Sequence, residues 1–416
     1  MDTHQLAFYG GAPVRETPFP NRGHIGEEEK AAVDALFDRA IATGAAPGYN
    51  GPEETAYCEE FARWMGGGYA DAVSSGTAGI YVALKALACP PFSEVIVGAV
   101  TDPGGMMPIP LLNLIPIVAD VAPGSFNTGP AQVEALISPL TSAIVAPHIG
   151  GEPADIAGII RVARTRNIPI IEDCSQAHAA RLDGRLVGTF GDLAVFSTMF
   201  GKHHSTGGQG GLVLTRDEAL YQRVRRASDR GKPFFLPGGT LNVEAALNLN
   251  LNDLAAAIGR VQLKKLPAQI EKRREMVRKI VEGVGGLSAV SLPDALPGAE
   301  PSYWFGRLRF HPERAACDKA TYCRALQAEG LPVTVDYDAA VPHWMPWFTE
   351  RRVFGASGYP WASPDYKGDP DRQFECPNLR EAIARHFIVH FNEGWQDGDI
   401  ADAIAMLIKV DAAFAA

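Results

Sequence analysis

The stretch FSTMFGKHHSTGGQGG, residues 196–211, decides the fold, and it directly follows the apolar run at 193–195. Lys202 stands five residues after Ser197, with few charged residues around it and glycines close behind it. Glycines let other groups approach the backbone closely, and a lysine partly desolvated in such a setting loses its proton more easily. Because a neutral amine can form an imine, the stretch predicts a covalent site for pyridoxal phosphate.

This cofactor needs a carboxylate near its pyridine nitrogen and a cradle for its phosphate, which a helix N-terminus with small residues can supply. Asp173 follows an apolar strand 29 residues before Lys202, and Ser75-Gly76-Thr77 lies between a predicted strand and a predicted helix. Both features have an alternative interpretation as plain helix caps. The residues alone leave that alternative open.

Composition limits the possible partners. The chain has 416 residues, 46% of them hydrophobic, with a formal net charge of −10 and no basic run, which argues against nucleic acid as a partner. No apolar run reaches the roughly 18 residues that a membrane span needs. The six cysteines form no C-x-x-C pair, so we predict reduced thiols and no metal site. Without a signal-peptide pattern at the N-terminus, we expect a cytoplasmic protein.

Apolar strand patterns alternate with helical ones over the first two thirds of the chain, which predicts an α/β fold with a mostly parallel sheet between helices. Ligands bind at the carboxyl ends of the strands in such sheets, where Ser75, Asp173 and Ser197 fall. The predicted strands are 69–73, 94–100, 115–118, 143–146, 168–172, 193–197 and 211–215, and the predicted helices are 27–41, 53–65, 78–87, 130–137 and 155–166.

The last third of the chain has a different pattern. Residues 252–284 predict one long helix or two, followed by a strand at 303–310, a helix at 319–329, a strand at 332–337 and a closing helix at 400–410. We therefore predict a large α/β domain at 1–265, including an extended N-terminal arm, and a small C-terminal α+β domain at 266–416. The long helix joins the two.

Several motifs occur together in one order, and the chain resembles the DegT/StrS-type sugar aminotransferases, pyridoxal-phosphate enzymes of fold type I. The resemblance implies a mostly parallel, seven-stranded type of sheet flanked by helices. The motifs are SSGTAGIYVAL at 74–84, PIVADVAPGSFNTGP at 116–130, APHIGGEPADI at 146–156, IIEDCSQAHAA at 170–180, GRLVGTFGDLAVFS at 184–197 and NLNLNDLAAAIGRVQLKKL at 248–266.

The resemblance also implies roles for single residues. Lys202 matches the Schiff-base lysine and Asp173 the partner of the pyridine nitrogen, and these two are the expected catalytic residues. Asn248 matches an asparagine that reaches the phosphate in the neighbouring subunit, which implies a homodimer with shared active sites. The other matches are Gln176 to the residue near the phenolic oxygen of the cofactor, and Gly76, Thr77 and Ser197 to phosphate ligands.

The chain departs from the family pattern at several positions. Asp102 follows Thr101 where the family places an aromatic ring against the pyridine, Gln209 replaces a glutamate, Asn250 replaces an arginine, and one residue is added between Lys202 and Gly210. Asp102 still belongs to the expected cofactor site. We expect it to turn away while residues 102–105 present backbone to the ring. Pairing with a cation such as Lys202, or contact with a polyol substrate, stays open.

The expected reaction is transfer of an amino group from L-glutamate or L-glutamine to a keto-sugar or keto-cyclitol. Gly201 and the N-terminal GGAPVR resemble the branch that acts on keto-cyclitols and aminohydroxybenzoate precursors. Two alternatives stay open: a deoxysugar dehydratase, in which the family has histidine for the lysine, and a non-catalytic regulatory protein that binds the cofactor. His203 and His204 could touch substrate. The tryptophans Trp304, Trp344 and Trp347 could line a pocket or pack in the core.

Overall fold

The computed structural model describes residues 3–416, and its centre is one seven-stranded sheet with the order β1-β9-β8-β5-β4-β2-β3. The strands are Tyr69–Val73 (β1), Glu94–Gly98 (β2), Ile115–Ala119 (β3), Thr141–Pro147 (β4), Ile170–Asp173 (β5), Arg181–Leu182 (β6), Arg185–Leu186 (β7), Leu193–Ser197 (β8), Gly211–Thr215 (β9), Val290–Ser291 (β10), Ala299–Glu300 (β11), Gly306–Phe310 (β12), Val333–Thr334 (β13) and His386–Val389 (β14).

Helices cover both faces of this sheet, since β2, β3, β8 and β9 are buried along their whole length. This confirms the predicted α/β fold. The helices are Glu27–Thr43 (α1), Pro52–Trp64 (α2), Gly76–Leu87 (α3), Pro103–Met106 (α4), Pro108–Leu111 (α5), Pro130–Glu134 (α6), Ile156–Arg164 (α7), Glu218–Ser228 (α8), Asp253–Val284 (α9), Lys319–Glu329 (α10), Pro346–Thr349 (α11), Pro377–Arg385 (α12) and Asp397–Phe414 (α13).

The pairing of β9 brings the predicted site segments together. β9 runs antiparallel to both β1 and β8, and Gly211 lies opposite Val73 on one side and opposite Ser197 on the other. β8 is in turn parallel to β5, where Asp173 lies beside Val195. The carboxyl ends of β1, β5 and β8 therefore meet at one edge of the sheet, as the sequence predicted.

The long helix α9 connects the large sheet to the C-terminal region as a single helix of 32 residues, in spite of Pro267 within it. Its first half is tied to α1 and α2 by ion pairs such as Arg260 with Glu53, and near its end Lys279 pairs with Asp397 of α13. Beyond it, a four-stranded sheet of order β10-β12-β14-β13 packs with α10 and α13 around a second hydrophobic cluster. The predicted boundary at residues 265/266 falls within α9 and stays a prediction.

Two strands predicted in the last third of the chain are shorter in the structure. The strand expected at 303–310 starts only at Gly306, because Tyr303 has a left-handed φ of 50° and the Trp304 amide donates to Gly150 O instead of a sheet neighbour. The strand expected at 332–337 is limited to Val333–Thr334, the two residues that pair with β14. Helices α8 and α12 and strand β14 were not predicted. No helix within residues 3–416 has both the length and the apolar character needed to cross a membrane.

Candidate active site

A cavity of about 230 Å³ lies at the edge of the sheet where β1, β5 and β8 end. Six of the eight residues predicted to bind the cofactor line it, from four separate parts of the chain. These six are Gly76, Thr77, Asp102, Asp173, Ser197 and Lys202, and they are joined by Ser75, Ile80, Gly104, Gly105, Ser175, Met199 and Gln209.

The loop that carries Lys202 closes on itself through backbone hydrogen bonds. The Thr198 amide donates to Gly210 O over 2.8 Å, and the Thr206 amide donates to Thr198 O over 3.0 Å. The hydroxyl oxygens of Thr198 and Thr206 are 2.9 Å apart. A Cβ at position 210 would come within 2.5 Å of the Thr198 hydroxyl, so the glycine there lets the two ends of the loop meet.

Lys202 is only 5% exposed, and its Nζ lies 3.9 Å from the centre of the Trp304 ring. Burial lowers the pKa of this amine to about 8, and the carboxylates of Asp102 and Asp173 oppose part of that shift. The Trp304 indole N–H donates to Gly201 O over 3.2 Å, which fixes the ring beside the lysine. Near neutral pH the amine is therefore neutral in a larger fraction of molecules than an exposed lysine would be, as a nucleophile that forms an imine requires.

Asp173 is buried, and this burial raises the pKa of its carboxyl above the usual range. The amide of Ser175 donates to Oδ1 over 3.0 Å, and this hydrogen bond and the charge of Lys202 act in the opposite direction. A Cβ built on Gly105 would be 3.1 Å from Oδ2, which places that oxygen close to the backbone of α4. A cationic ring nitrogen beside Asp173 would favour the ionised carboxylate.

Asp102 lines the cavity and also starts α4, where its Oδ1 accepts a hydrogen bond from the Gly104 amide over 2.9 Å. The turn expected at residues 102–105 is therefore the first turn of a short helix. The side chain keeps a free oxygen and is exposed, and its charge acts on Lys202, Asp173 and Tyr337. A carboxylate thus lies at the mouth of the site.

The part of the cavity at the start of α3 has the features of a phosphate cradle. Ser75 caps α3 by accepting from the Ala78 amide over 3.0 Å, and the twelve-residue helix begins at Gly76. A Cβ at Gly76 would lie 2.7 Å from the Cβ of Ser197, so only glycine fits between the two segments. Backbone amides, the Thr77 hydroxyl and the Ser197 hydroxyl are the donors that a phosphate group needs at a helix start. The residues present therefore fit pyridoxal phosphate.

Two predicted ligands are not brought into this cavity. The side-chain oxygen of Gln176 accepts from the Gly150 amide over 2.8 Å, and its amino group donates to the Tyr337 hydroxyl over 3.2 Å. Asn248 is exposed outside the cavity and accepts a hydrogen bond from the Asn250 side chain over 2.6 Å. Their predicted roles therefore stay predictions, and for Asn248 the expected contact is with a neighbouring subunit.

The profile of the DegT/DnrJ/EryC1/StrS aminotransferase family matches residues 25–363. The chain belongs to this family. An L-glutamine:2-deoxy-scyllo-inosose aminotransferase of Streptomyces fradiae is 31% identical over 97% of both chains, and a dTDP-4-dehydro-2,6-dideoxy-D-glucose 3-dehydratase of Saccharopolyspora spinosa is 31% identical over 71% of this chain and 68% of the other. The crystal structure of the aminotransferase TlmJ from Streptoalloteichus hindustanus superimposes with a TM-score of 0.77 at 27% identity, covering 94% of this chain and 97% of the other.

The positions of His203 and His204 do not support the possibility that these two histidines touch substrate. His203 and His204 are fully buried and point away from the cavity, because His203 Nε2 lies 3.1 Å from Ser302 O and His204 Nε2 lies 3.0 Å from Gly259 O. Burial lowers the pKa of both rings, to about 4 for His204. Together with His178, 5.9 Å from each between ring centroids, they form a neutral packing layer next to the lysine loop.

An ion network that sequence reasoning missed holds the backbone of Lys202. Arg22 in the N-terminal arm donates to the carbonyl oxygens of Lys202 and His203 and pairs with Glu393 over 2.7 Å. Glu393 also pairs with Arg273 of α9 over 2.7 Å, and the two arginines hold the pKa of its carboxyl far below the usual range. These residues lie up to 371 positions apart in the chain, so no local pattern could have revealed the network.

A second buried group could suggest a metal centre, because one ligand atom each from His148, Glu172 and Cys174 lies within 4.8 Å of the others. However, the Glu172 carboxylate accepts from the amides of Gly188, Phe190 and Gly191 over 2.6–2.7 Å. His148 Nδ1 accepts from an amide, so its Nε2 carries the proton and donates to Glu172 over 3.2 Å. Hydrogen bonds already occupy the Glu172 and His148 atoms of this group, and those to Glu172 fix the loop after β7.

Proposed function

We propose that this aminotransferase binds pyridoxal phosphate through Lys202 and transfers an amino group from L-glutamine or L-glutamate to a keto-cyclitol or keto-sugar. The observation that carries the proposal is the Lys202 amine, buried at the end of β8 in the same cavity as Asp173 and with a pKa of about 8. The S. fradiae relative, named for L-glutamine and 2-deoxy-scyllo-inosose, supports this donor and an acceptor of the cyclitol class.

Different residues of the cavity would bind different groups of the cofactor. Gly76, Thr77 and Ser197 would hold the phosphate at the start of α3, and Asp173 would hold a proton on the pyridine nitrogen. Pyridoxal phosphate, once bound, supplies an electron sink for the carbon that gains or loses the amino group. Asp173 keeps that sink effective, because its carboxylate stabilises the protonated ring.

Lys202 has a second task besides the covalent bond. Once its amine is free, it can take a proton from the donor carbon and return it at the acceptor carbon. The Trp304 ring limits the positions that Lys202 Nζ can reach, and Arg22 fixes the Lys202 backbone by donating to its carbonyl oxygen. The low pKa matches this exchange, because an amine that titrates near the working pH can both accept and donate a proton.

The dehydratase alternative is not favoured, although one relative carries such a name. Lys202 is present where the family dehydratases have histidine, and the neighbouring His203 is fully buried with Nε2 on Ser302 O. The non-catalytic alternative is also not favoured, since Lys202, Asp173 and Ser197 line one cavity. The six free thiols support the predicted cytoplasmic location as part of this proposal.

The homodimer with shared sites is also part of the proposal. Asn248 ends a loop that exposes several large apolar side chains, and α1 exposes two more. The exposed residues are Phe235, Leu236, Leu241, Val243 and Leu247 in the loop, and Phe37 and Ile41 in α1. Exposed apolar patches of this kind mark contact surfaces between proteins. A second copy that covers the loop would bring Asn248 to the neighbouring phosphate cradle.

The test combines labelling with kinetics. Borohydride reduction of the purified protein followed by peptide mapping should place pyridoxal phosphate on Lys202, and a label on another lysine would contradict the assignment. With L-glutamine and 2-deoxy-scyllo-inosose, Asp173→Asn should lose at least about a hundredfold in kcat while its melting temperature is unchanged or higher, because the amide removes a buried carboxyl. An unchanged kcat would mean that Asp173 only stabilises the turn after β5 through its hydrogen bond from the Ser175 amide.

A further inference from the structure

Glu393 lies in the loop after β14 and is the centre of the ion network that contacts the lysine loop. Its carboxylate is paired with two arginines at once, and all three side chains are at most 15% exposed. Oε1 accepts from Arg22 Nη2 over 3.0 Å and from Arg273 Nε over 2.7 Å. Oε2 accepts from Arg22 Nε over 2.7 Å and from Arg273 Nη2 over 3.1 Å. Each arginine therefore binds the carboxylate as a two-pronged fork, which fixes both distance and angle.

The two arginines lead to the two segments that define the position of the Lys202 amine. Arg22 donates to the carbonyl oxygen of Lys202 itself. Arg273 Nη1 donates to the carbonyl oxygens of residues 303 and 304, over 2.8 and 3.3 Å. The Trp304 ring in turn lies with its centre 3.9 Å from Lys202 Nζ. One carboxylate thus links the backbone that carries the amine to the backbone that carries the ring beside it.

The N-terminal arm is docked on the same loop of the C-terminal region. The Phe19 ring stacks on Trp395 with 4.1 Å between the ring centroids, and Pro20 O accepts from Asn392 Nδ2 over 3.1 Å. These contacts flank the ion pair on both sides in the sequence. The C-terminal region therefore sets the place from which Arg22 reaches the lysine loop.

The charges of the network are not what sets the proton affinity of the amine. Within residues 3–416, the charges that change the pKa of Lys202 are those of Asp102 and Asp173, and neither residue belongs to the network. Burial is the larger cause and lowers this pKa from 10.5 to about 8. The pKa thus depends on how deeply the side chain is held, and a loop that released it toward solvent would return the pKa toward 10.5.

We propose that Glu393 is a positioning residue for Lys202. Through Arg22 it holds the backbone of the lysine, and through Arg273 it holds the backbone of Trp304. The two links together keep the amine buried in the cavity, although Glu393 is not one of the residues that line it. The proposed function enters only in the use of this amine to bind the cofactor, and the position of the amine can be tested without any cofactor.

The test measures the proton affinity of Lys202 in three variants. The apoprotein is methylated with formaldehyde and cyanoborohydride over a pH series, and peptide mapping gives the pH at which the rate at Lys202 is half-maximal. Glu393→Gln, Arg22→Gln and Arg22→Lys should each raise this midpoint by about 0.5–1.5 pH, because each loosens the hold on the lysine. Arg22→Lys keeps the charge, but one ammonium group cannot reproduce the fork.

A direct electrostatic effect predicts a different pattern in the same three variants. Loss of the Glu393 charge would lower the midpoint, loss of the Arg22 charge would raise it, and Arg22→Lys would leave it unchanged. That pattern overturns the proposal, and so does a midpoint that stays in place in all three. If Glu393→Gln does not fold, because it leaves two buried arginines without their partner, then the result for Arg22→Lys decides between position and charge.

Glu329→Gln is the matched control. Glu329 is fully buried and also holds the N-terminal arm, since it accepts from the amides of Ala7 and Val14 over 2.9 and 3.0 Å and pairs with Lys409 over 2.8 Å. Its replacement should lower the melting temperature but leave the midpoint within about 0.2 pH. An equal rise in the control overturns the proposal, because any loosening of the arm would then have the same effect.

These readouts need neither pyridoxal phosphate nor substrate. They can therefore fail while the proposed function holds. In the reverse case, the three variants raise the midpoint although borohydride places no pyridoxal phosphate on Lys202 of the native protein, and that result contradicts the proposed function alone.

Discussion

Lys202 combines a covalent role with a cost to folding. Its pKa falls from 10.5 to about 8 in the folded apoprotein, so between these values the unfolded chain binds more protons and the free energy of unfolding rises with pH. Below pH 8 the penalty for the buried charge is fully present. Replacement by methionine should remove it and stabilise the apoprotein at pH 7 by about 3 kcal/mol.

Urea denaturation of the stripped apoprotein checks this prediction at pH 7 and again above pH 10. The gain in stability from Lys202→Met should shrink as the pH rises, because the Lys202 amine then becomes neutral in the unfolded chain as well as in the folded one. Lys264→Met on the exposed face of α9 is the control, and it should change stability little at either pH. A gain that does not depend on pH would show that packing, not charge, causes it. Transamination should be lost in the Lys202 variant.

Asp102 is the largest influence that keeps the Lys202 amine protonated. Asp102→Asn should therefore lower the pKa of Lys202 and shift to lower pH the midpoint at which the apoprotein takes up pyridoxal phosphate. Stopped-flow absorbance across a pH series centred on 8 measures that midpoint. Asp294→Asn, an exposed residue outside the cavity, provides the control and should not move it. A midpoint that stays in place in Asp102→Asn would rule out electrostatic coupling between the two groups.

At the scale of elements, Gly208 and Gly210 of the lysine loop differ in the space around them. A Cβ at Gly210 would overlap the hydroxyls of Thr198 and Thr206, whereas a Cβ at Gly208 meets nothing within 4 Å. Gly210→Ala should therefore destabilise the protein by about 1–3 kcal/mol and disturb Lys202. Gly208→Ala should be close to neutral. Thermal unfolding and the rate of cofactor uptake of the two variants measure the difference, and similar values for both would contradict this account of the loop.

The elements that the sequence predicted well are those with a strong local pattern. β1 and β9 have the predicted bounds, because both are short, mostly apolar segments preceded by glycines. The strands after residue 285 were harder to predict, since their pairing partners decide where they form. The Trp304 amide donates to Gly150 O and so takes no part in the sheet. β14 forms because it pairs with β12 and β13. Such contacts between distant segments are not encoded in local periodicity.

The site residues also divide into those that a local sequence pattern predicts and those that depend on contacts between distant segments. Asp173 and Ser197 were predicted because they fall at the carboxyl ends of strands, which meet at a common edge of the sheet. Lys202 was predicted from the glycine-rich stretch with few charges that follows one of these strands. Trp304 lies over the amine although it is 102 positions away in the chain, and Arg22 and Glu393 hold the loop from near the two ends of the sequence. These partners were found only from the folded arrangement.

At the scale of the whole molecule, one predicted cofactor ligand, Asn248, does not line the cavity that contains Lys202. Asn248 is exposed and forms an antiparallel bridge with Asp229. In a twofold-symmetric dimer, the same surface on each subunit contacts its equivalent, so each Asn248 would serve the other subunit. The exposed apolar side chains of the loop at 235–247 are then covered.

Mixing two inactive variants tests this arrangement directly. Lys202→Ala removes the amine, and Asn248→Asp brings a negative charge against the phosphate of the partner site. If the sites are shared, a mixed dimer contains one site with both native residues and one site with both substitutions. Random mixing at equal amounts should therefore restore about a quarter of the native activity, since half of the dimers are mixed and each has one competent site.

The control mixes Lys202→Ala with Asp173→Asn, two substitutions inside the same cavity. Each site in that mixed dimer carries one of the two substitutions, so no activity should return. Restored activity only in the Asn248 mixture means that the residue acts across the interface. If neither mixture recovers although both variants exchange subunits, then Asn248 serves its own subunit or has no role at the phosphate. A protein that stays monomeric and fully active in solution would exclude the shared site altogether.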